Sequence, residues 1–360
     1  MAITGIKSRK HPRSVDLTIF TTGDQSQRRQ VACELVQSIH ETGFCRLPKH
    51  NISIDTLDRV FGQCDKFFKL PVAVKSKIKH PPQHNPHRIQ QGWSEVGRET
   101  VSTITDHEKG AMPVTDKPAV LDIKEAFDMG NPHDPLFENM WLPEEDLPGF
   151  KDDMERFYDE CRREHLILLE ALELGCSALL GFNPDFRRFC QDSVSECRIN
   201  YYPATKASLL RPPGGHCNRI SPHSDFGTLT LLFQDGVGGL EIEDQSDLGQ
   251  FFPVTCDSPH ELLVNAGDVL QRWSNNYFRS VNHLVTLPPA LKKDDGEGDR
   301  DEFVPERTSV AFFAKADREA KVGSLPGFEN GEHRYEQMTS LQYNQMKLKL
   351  TYGFESPAQV

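Results

Sequence analysis

The stretch PHSDFGTLTLLFQD occupies residues 222–235 and sets His223 and Asp225 at i and i+2, just ahead of an apolar run. On an extended chain those two positions point to one face. An imidazole and a carboxylate on one face are two thirds of a facial metal site, so a second imidazole must arrive from elsewhere. Downstream, the chain offers His260, His283 and His333. His260 lies in the turn-like DSPHE and His333 in the polar NGEHR, whereas His283 sits in the strand-like SVNHLVTL. His283 is therefore the expected third ligand. Two imidazoles and one carboxylate fill three facial positions of an octahedron and leave three open, which suits non-haem Fe(II) binding an organic acid and dioxygen together. Zinc takes the same donors and also keeps an open position in hydrolytic sites, so spacing alone leaves both metals in play.

The segment ERTSVAFF, residues 306–313, separates them. Arg307 and Ser309 are again i and i+2, so on a strand they share a face. A guanidinium fork with a hydroxyl beside it is a receptor for a carboxylate. Upstream, RINYYP offers Asn200 and Tyr202 at the same spacing as further hydrogen-bonding groups. A carboxylate receptor beside an open metal implies a small diacid held at both ends.

These residues need a scaffold. VDLTIF at 15–20 reads as a short strand, and residues 26–42 place Val31, Leu35 and Ile39 on one helical stripe that Gly43 ends. A second helix is expected over about residues 53–70, and a long one over 146–181 carries the stripe Met154, Phe157, Cys161, His165, Leu168, Leu172, Cys176 and Leu179. Residues 79–120, rich in Pro, His, Gly and Thr, read as loop or lid. After Pro184 the period changes. VSECRINYYP, TLTLLFQ, GLEIED, FFPVT, ELLVNAGDVLQRWSN, VNHLVTLP and RTSVAFFAKA read as short strands, the charged 292–302 as a solvated loop, and EQMTSLQYNQMKLKLTYGF as a closing helix. The expected class is α+β: a jelly-roll core flanked by helices, with a helical N-terminal region. The expected division is a flexible arm at 1–14, an N-terminal region at 15–140, a linking helix within 141–192, the β core at 193–318 and a helical segment at 319–360.

In this order NYYP, HSDFGTLTLLFQD, GGLEI, NAGDVLQRWSN, SVNH and RTSVAFF resemble the isopenicillin N synthase-like iron(II)/2-oxoglutarate-dependent dioxygenases. DLTIF, ETGFCRLPKHNI, KSKI, QGWSEVGRE and KEAFDMG extend the resemblance over nearly the whole chain. The resemblance implies a distorted double-stranded β-helix, Fe(II) on His223, Asp225 and His283, and 2-oxoglutarate held by Arg307, Ser309 and Tyr202, with Asn200 near the metal. It implies oxidation of a small organic metabolite with O2, by hydroxylation, desaturation or ring rearrangement, in specialised-metabolite biosynthesis. Two departures stand out: a charged loop separates His283 from Arg307, and PKHNI replaces the usual NHGI. A same-family iron oxidase that dispenses with 2-oxoglutarate would carry the same motif, and an idle jelly-roll binding module is the non-enzymatic rival.

The chain has 360 residues and a formal net charge of -12. There is no basic stripe to neutralise a nucleic-acid backbone, and no apolar run long enough to span a bilayer. Nine scattered cysteines without a CxxC pair, and no secretory leader, read as free thiols in a reducing compartment, the cytoplasm. Trp273, Phe226 and Phe313 are expected as core more than as pocket wall, and His216, in its Gly/Pro loop, as a loop or substrate contact.

Overall fold

The computed structural model describes residues 9–81, 91–97, 123–192, 194–210, 218–291, 302–328 and 335–352. The residues His216 and His333, most of the segment 79–120 and nearly all of the charged loop at 292–302 lie outside these. Strand β1 (Ser14–Asp16) leads into α1 (Thr18–Thr22), α2 (Gln25–Thr42) and β2 (Phe44–Lys49), then α3 (Ile54–Lys69), α4 (Val72–Lys75), β3 (Gly92–Ser94) and β4 (Glu125–Gly130). The long helix α5 (Phe150–Leu180) follows. The remaining strands are β5 (Glu196–Tyr202), β6 (Thr205–Lys206), β7 (Ile220–His223), β8 (Leu229–Gln234), β9 (Leu240–Glu243), β10 (Phe251–Pro253) and β11 (Leu262–Ala266). After α6 (Asp268–Trp273) come β12 (His283–Val285), β13 (Phe303–Val304), β14 (Arg307–Ala314) and α7 (Ser340–Tyr352).

Eight strands form one sheet in the order β1-β2-β11-β8-β14-β5-β4-β3, and four form a second in the order β10-β9-β12-β7. Strand alternation divides the large sheet into two chemistries. Ile199, Leu231, Phe233, Val264, Val310 and Phe312 join the main core, which also holds the buried faces of α2, α3 and α5. Removing each such side chain from water contributes about 1.5–3 kcal/mol. The alternate positions turn the other way. There Tyr202 and Leu263 meet Ile220, Ile242 and Val285 of the small sheet in a second core. Asn200, Thr230, Gln234, Asn265, Arg307 and Ser309 have the same parity as Tyr202 and Leu263 on their strands and are all buried. The fold thus gathers its polar groups on the face opposite the helices.

Most expected elements are present, with instructive differences. VDLTIF is strand only to Asp16, because the Asp16 carboxylate accepts from Thr18 N–H at 3.1 Å and turns the chain into α1. ELLVNAGDVLQRWSN is not one strand but β11 followed by α6. Gly267 lets that break pass close to Gly227: a Cβ there would sit 2.3 Å from the Gly227 carbonyl oxygen. Helix α5 buries its stripe except for Leu179, which is 41% exposed near the helix end. The segment expected as loop contributes the short strand β3, paired with β4.

Candidate active site and metal centre

Strands β7 and β12 pair antiparallel with His223 opposite His283. The two rings lie 4.3 Å apart, centroid to centroid. Each Nδ1 faces a backbone carbonyl two residues earlier, Ser221 at 2.8 Å and Val281 at 3.2 Å. A carbonyl can only accept, so each Nδ1 carries a proton and Nε2 is left as the nitrogen that faces the site. Burial, reinforced by the His283 ring, lowers the His223 pKa to about 4, which keeps that imidazole neutral, as a metal requires.

Asp225 lies just past the end of β7 rather than on the strand, so it reaches the site from a turn. That turn is fixed by the first N–H groups of α6: Asp268 N–H donates to the Asp225 carbonyl at 2.7 Å and Val269 N–H to that of Gly227 at 2.9 Å. Burial alone would push the Asp225 carboxyl up. Positive charge on the His283 and His223 rings whenever they are protonated, with donors from Asn265 at 2.8 Å and Thr230 at 2.7 Å, holds it below the ordinary range. Ligand atoms of His223, Asp225 and His283 all lie within 4.8 Å of one another. Two imidazoles and a carboxylate, already oriented around one point, fit a divalent metal.

On the sheet opposite, β14 pairs with β5 so that Arg307 meets Tyr202 and Ser309 meets Asn200. All four expected residues therefore converge. Arg307 is 1% exposed; it donates to Ser309 Oγ at 3.3 Å and to Gln234 Oε1 at 2.7 Å. Its guanidinium carbon lies 4.9 Å from the Tyr202 ring centroid, and its Nε has no partner among the described residues. Tyr202, expected as a hydrogen-bond donor, holds its ring beneath the guanidinium. Asn200 Oδ1 accepts from the buried Lys124 at 3.4 Å.

Other sequence candidates lie elsewhere. His260 is bound to Asp58 at 2.6 Å on the surface. Trp273 is fully buried and stacks on Phe186, a core role. The Phe226 ring lies 5.0 Å from the Lys347 ammonium of α7, and Phe313 is partly buried. Sequence reasoning missed Lys124, Gln234, Asn265 and Arg219. Gln234 and Asn265 sit inside the quoted motifs LLFQD and NAGD, where strand parity would have placed them; Arg219 precedes β7, whose pairing with β12 shifts register, so no spacing rule points to it.

A family model for the 2OG-Fe(II) oxygenase superfamily matches residues 194–316, and one for the N-terminal region of non-haem dioxygenases in morphine synthesis matches residues 14–146. A curated relative, the 2-oxoglutarate-dependent dioxygenase frbA of Dothideomycetidae sp., is 43% identical over 96% of this chain and 98% of its own. The chain belongs to the 2OG-Fe(II) oxygenase superfamily. A second relative, the proline hydroxylase buaE of Petromyces alliaceus, is 40% identical over 94% of this chain and 98% of its own. Among solved structures, a full-length Neurospora crassa protein in complex with alpha-KG and thymine superposes with a TM-score of 0.78, at 31% identity, over 95% of this chain and 97% of that one. The fold is thus the double-stranded β-helix of these oxygenases, as expected. This oxygenase is an Fe(II)/2-oxoglutarate-dependent dioxygenase: 2-oxoglutarate is decarboxylated oxidatively to succinate and CO2 while O2 oxidises a small organic substrate. Membership decides between the two metals the donor spacing left open, in favour of iron. Among the described residues no helix is long and apolar enough to cross a membrane.

Proposed function

We propose that His223, Asp225 and His283 hold the iron, that Arg307 and Ser309 receive the distal carboxylate of 2-oxoglutarate, and that Tyr202 supports that guanidinium from below. The observation that carries this reading is the register of β14 against β5 together with that of β12 against β7. One brings Arg307 over Tyr202, and the other brings the two imidazoles opposite each other. Bound iron would supply the redox centre at which O2 and the 2-oxo acid react.

The chain's own part is orientation and exclusion of water. Backbone carbonyls of Ser221 and Val281 fix the imidazole tautomers, and Asn265 with Thr230 fixes the carboxylate. Gln234 and Ser309 hold the Arg307 fork before any ligand arrives, so little ordering is left for binding. Lys124 and Asn200, joined on the same sheet face, stand where an organic substrate would meet polar groups.

The substrate is proposed to be a small specialised metabolite, in a cytoplasmic enzyme. Supporting the first are relatives named for such oxygenases, one a proline hydroxylase, and a solved neighbour holding thymine. Supporting the second are eight described cysteines, all unpaired. A net charge of -12 favours small molecules over nucleic acid. The test is succinate release by protein given Fe(II), 2-oxoglutarate and O2 with a panel of imino acids, short peptides and pyrimidines. Succinate formed one-for-one with oxidised product is expected; no succinate with any mixture rejects the reading.

A further inference from the structure

Arg219 lies just before β7 and is fully buried. Its Nη2 donates to the Pro305 carbonyl at 2.6 Å, but Nε and Nη1 have no partner among the described residues. Its guanidinium carbon lies 5.7 Å from the centroid of the Tyr202 ring, the ring that also supports Arg307 at 4.9 Å. Two buried guanidiniums thus share one aromatic side chain, and three of their nitrogens, Arg219 Nε and Nη1 and Arg307 Nε, are unpartnered among the described residues.

A buried cation is costly unless paired, and two near each other cost more. Burial lowers the Arg219 pKa to about 10, and repulsion from Arg307 adds to that. The carboxylate of Asp235 acts in the opposite sense, yet its oxygens already accept from the Thr308 and Val237 N–H groups. The pair therefore has a protein carbonyl, a hydroxyl and an amide oxygen as acceptors, and open nitrogens suited to an anion that arrives as a ligand.

We propose that Arg219 is a second guanidinium of the cosubstrate site, positioning the distal carboxylate of 2-oxoglutarate jointly with Arg307. The inference rests on the reading of Arg307 given above. A carboxylate has enough lone pairs to accept from both groups, and the Tyr202 ring lies near both guanidiniums. The double cation also selects for the second carboxylate: a 2-oxo acid without it leaves the open nitrogens of both guanidiniums without an acceptor.

Binding calorimetry on the full-length protein, loaded with Mn(II) in place of iron and kept anaerobic, tests this without turnover. Two ligands are compared, 2-oxoglutarate and 2-oxopentanoate, which replaces the distal carboxylate by a methyl group. In Arg219→Met, 2-oxoglutarate should bind at least about tenfold more weakly, the worth of one charge-assisted contact, with 2-oxopentanoate unchanged. Unchanged 2-oxoglutarate affinity overturns the proposal. Parallel weakening of both ligands also overturns it, as a packing role would do. If Arg219→Met does not fold, Arg219→Lys takes its place. Its point charge keeps the site cationic but loses the fork, so selective weakening of 2-oxoglutarate supports the proposal and no selective change overturns it. A wild-type protein that binds no 2-oxoglutarate removes the functional reading itself, whereas intact wild-type binding with a non-selective variant removes only Arg219.

Discussion

His223 and His283 are direct register partners across the β7–β12 pair, and each is tied through Nδ1 to the carbonyl two residues before it. The strand ladder itself thus sets both the separation and the tautomer of the two imidazoles. A site built this way is formed before metal arrives.

Removing one ligand should therefore remove the metal while leaving the fold. His283→Ala, purified anaerobically with Fe(II), is expected to hold almost no iron and to keep the wild-type circular dichroism. Asn265→Leu, which deletes a donor to Asp225 without touching a ligand, should weaken iron affinity by about 10- to 100-fold. Iron content equal to wild type in His283→Ala would sink the ligand assignment.

Gln234 fixes one arm of the Arg307 fork at 2.7 Å and uses its own amide to reach Cys256 at 3.4 Å. Gln234→Leu leaves that arm buried without an acceptor. We expect KM for 2-oxoglutarate to rise by about tenfold, the scale of a lost hydrogen bond to a charged group, with kcat moved far less. Steady-state kinetics against 2-oxoglutarate checks the split; a fall in kcat at unchanged KM would place Gln234 elsewhere.

Gly267 and Gly227 let three segments meet behind Asp225. A Cβ on Gly267 would sit 2.3 Å from the Gly227 carbonyl oxygen and 3.1 Å from that of Asp225. Gly267→Ala must push back the turn that aims the carboxylate. Loss of stability of about 1–3 kcal/mol, the range for overpacking, is expected together with weaker iron retention. Chemical denaturation and metal analysis on the same sample read both, and wild-type values would show that the turn yields freely.

How far the sequence could reveal this site follows from which rule each residue obeys. Arg307 with Ser309, and Asn200 with Tyr202, obey strand alternation, so their shared face is legible, whereas their pairing across β14 and β5 is a long-range register that spacing does not encode. Asp225 was legible as a ligand for a partly different reason from the one that operates: it stands in a turn, and α6 aims it. The break between β11 and α6 was hidden because both are buried along their whole lengths, leaving no period to read. Gln234 went unassigned although parity places it, since a lone polar residue on a strand more often faces solvent, and Arg219 stands outside β7, where alternation does not apply.

His165 gives an acid-stability prediction that is independent of the metal. It is buried in α5, with Nε2 3.0 Å from Thr228 Oγ1, and that hydroxyl donates to the Ala314 carbonyl at 3.0 Å. The hydroxyl proton being used, Nε2–H must be the donor to it, which ties α5 to the turn carrying Asp225. Burial lowers the His165 pKa to about 3, against an ordinary value of 6.5. As pH falls below 6.5 the unfolded chain takes up a proton at this residue and the folded chain does not, so the unfolded state gains. The stability this group contributes is thus present above pH 6.5 and is lost as pH falls towards 3, with a slope of at most about 1.4 kcal/mol per pH unit. His165→Gln cannot take up that proton and should lose this component of the acid limb. His223, lowered for the same reason, contributes with the same sign in both proteins, so the difference between them isolates His165. In urea denaturation of metal-free wild type and variant between about pH 4 and 8, the gap between the two stability curves should stay constant above about pH 7. It should then shift steadily against the wild type as pH falls through about 6. A constant gap over the whole range would mean that His165 is protonated as readily in the fold as out of it.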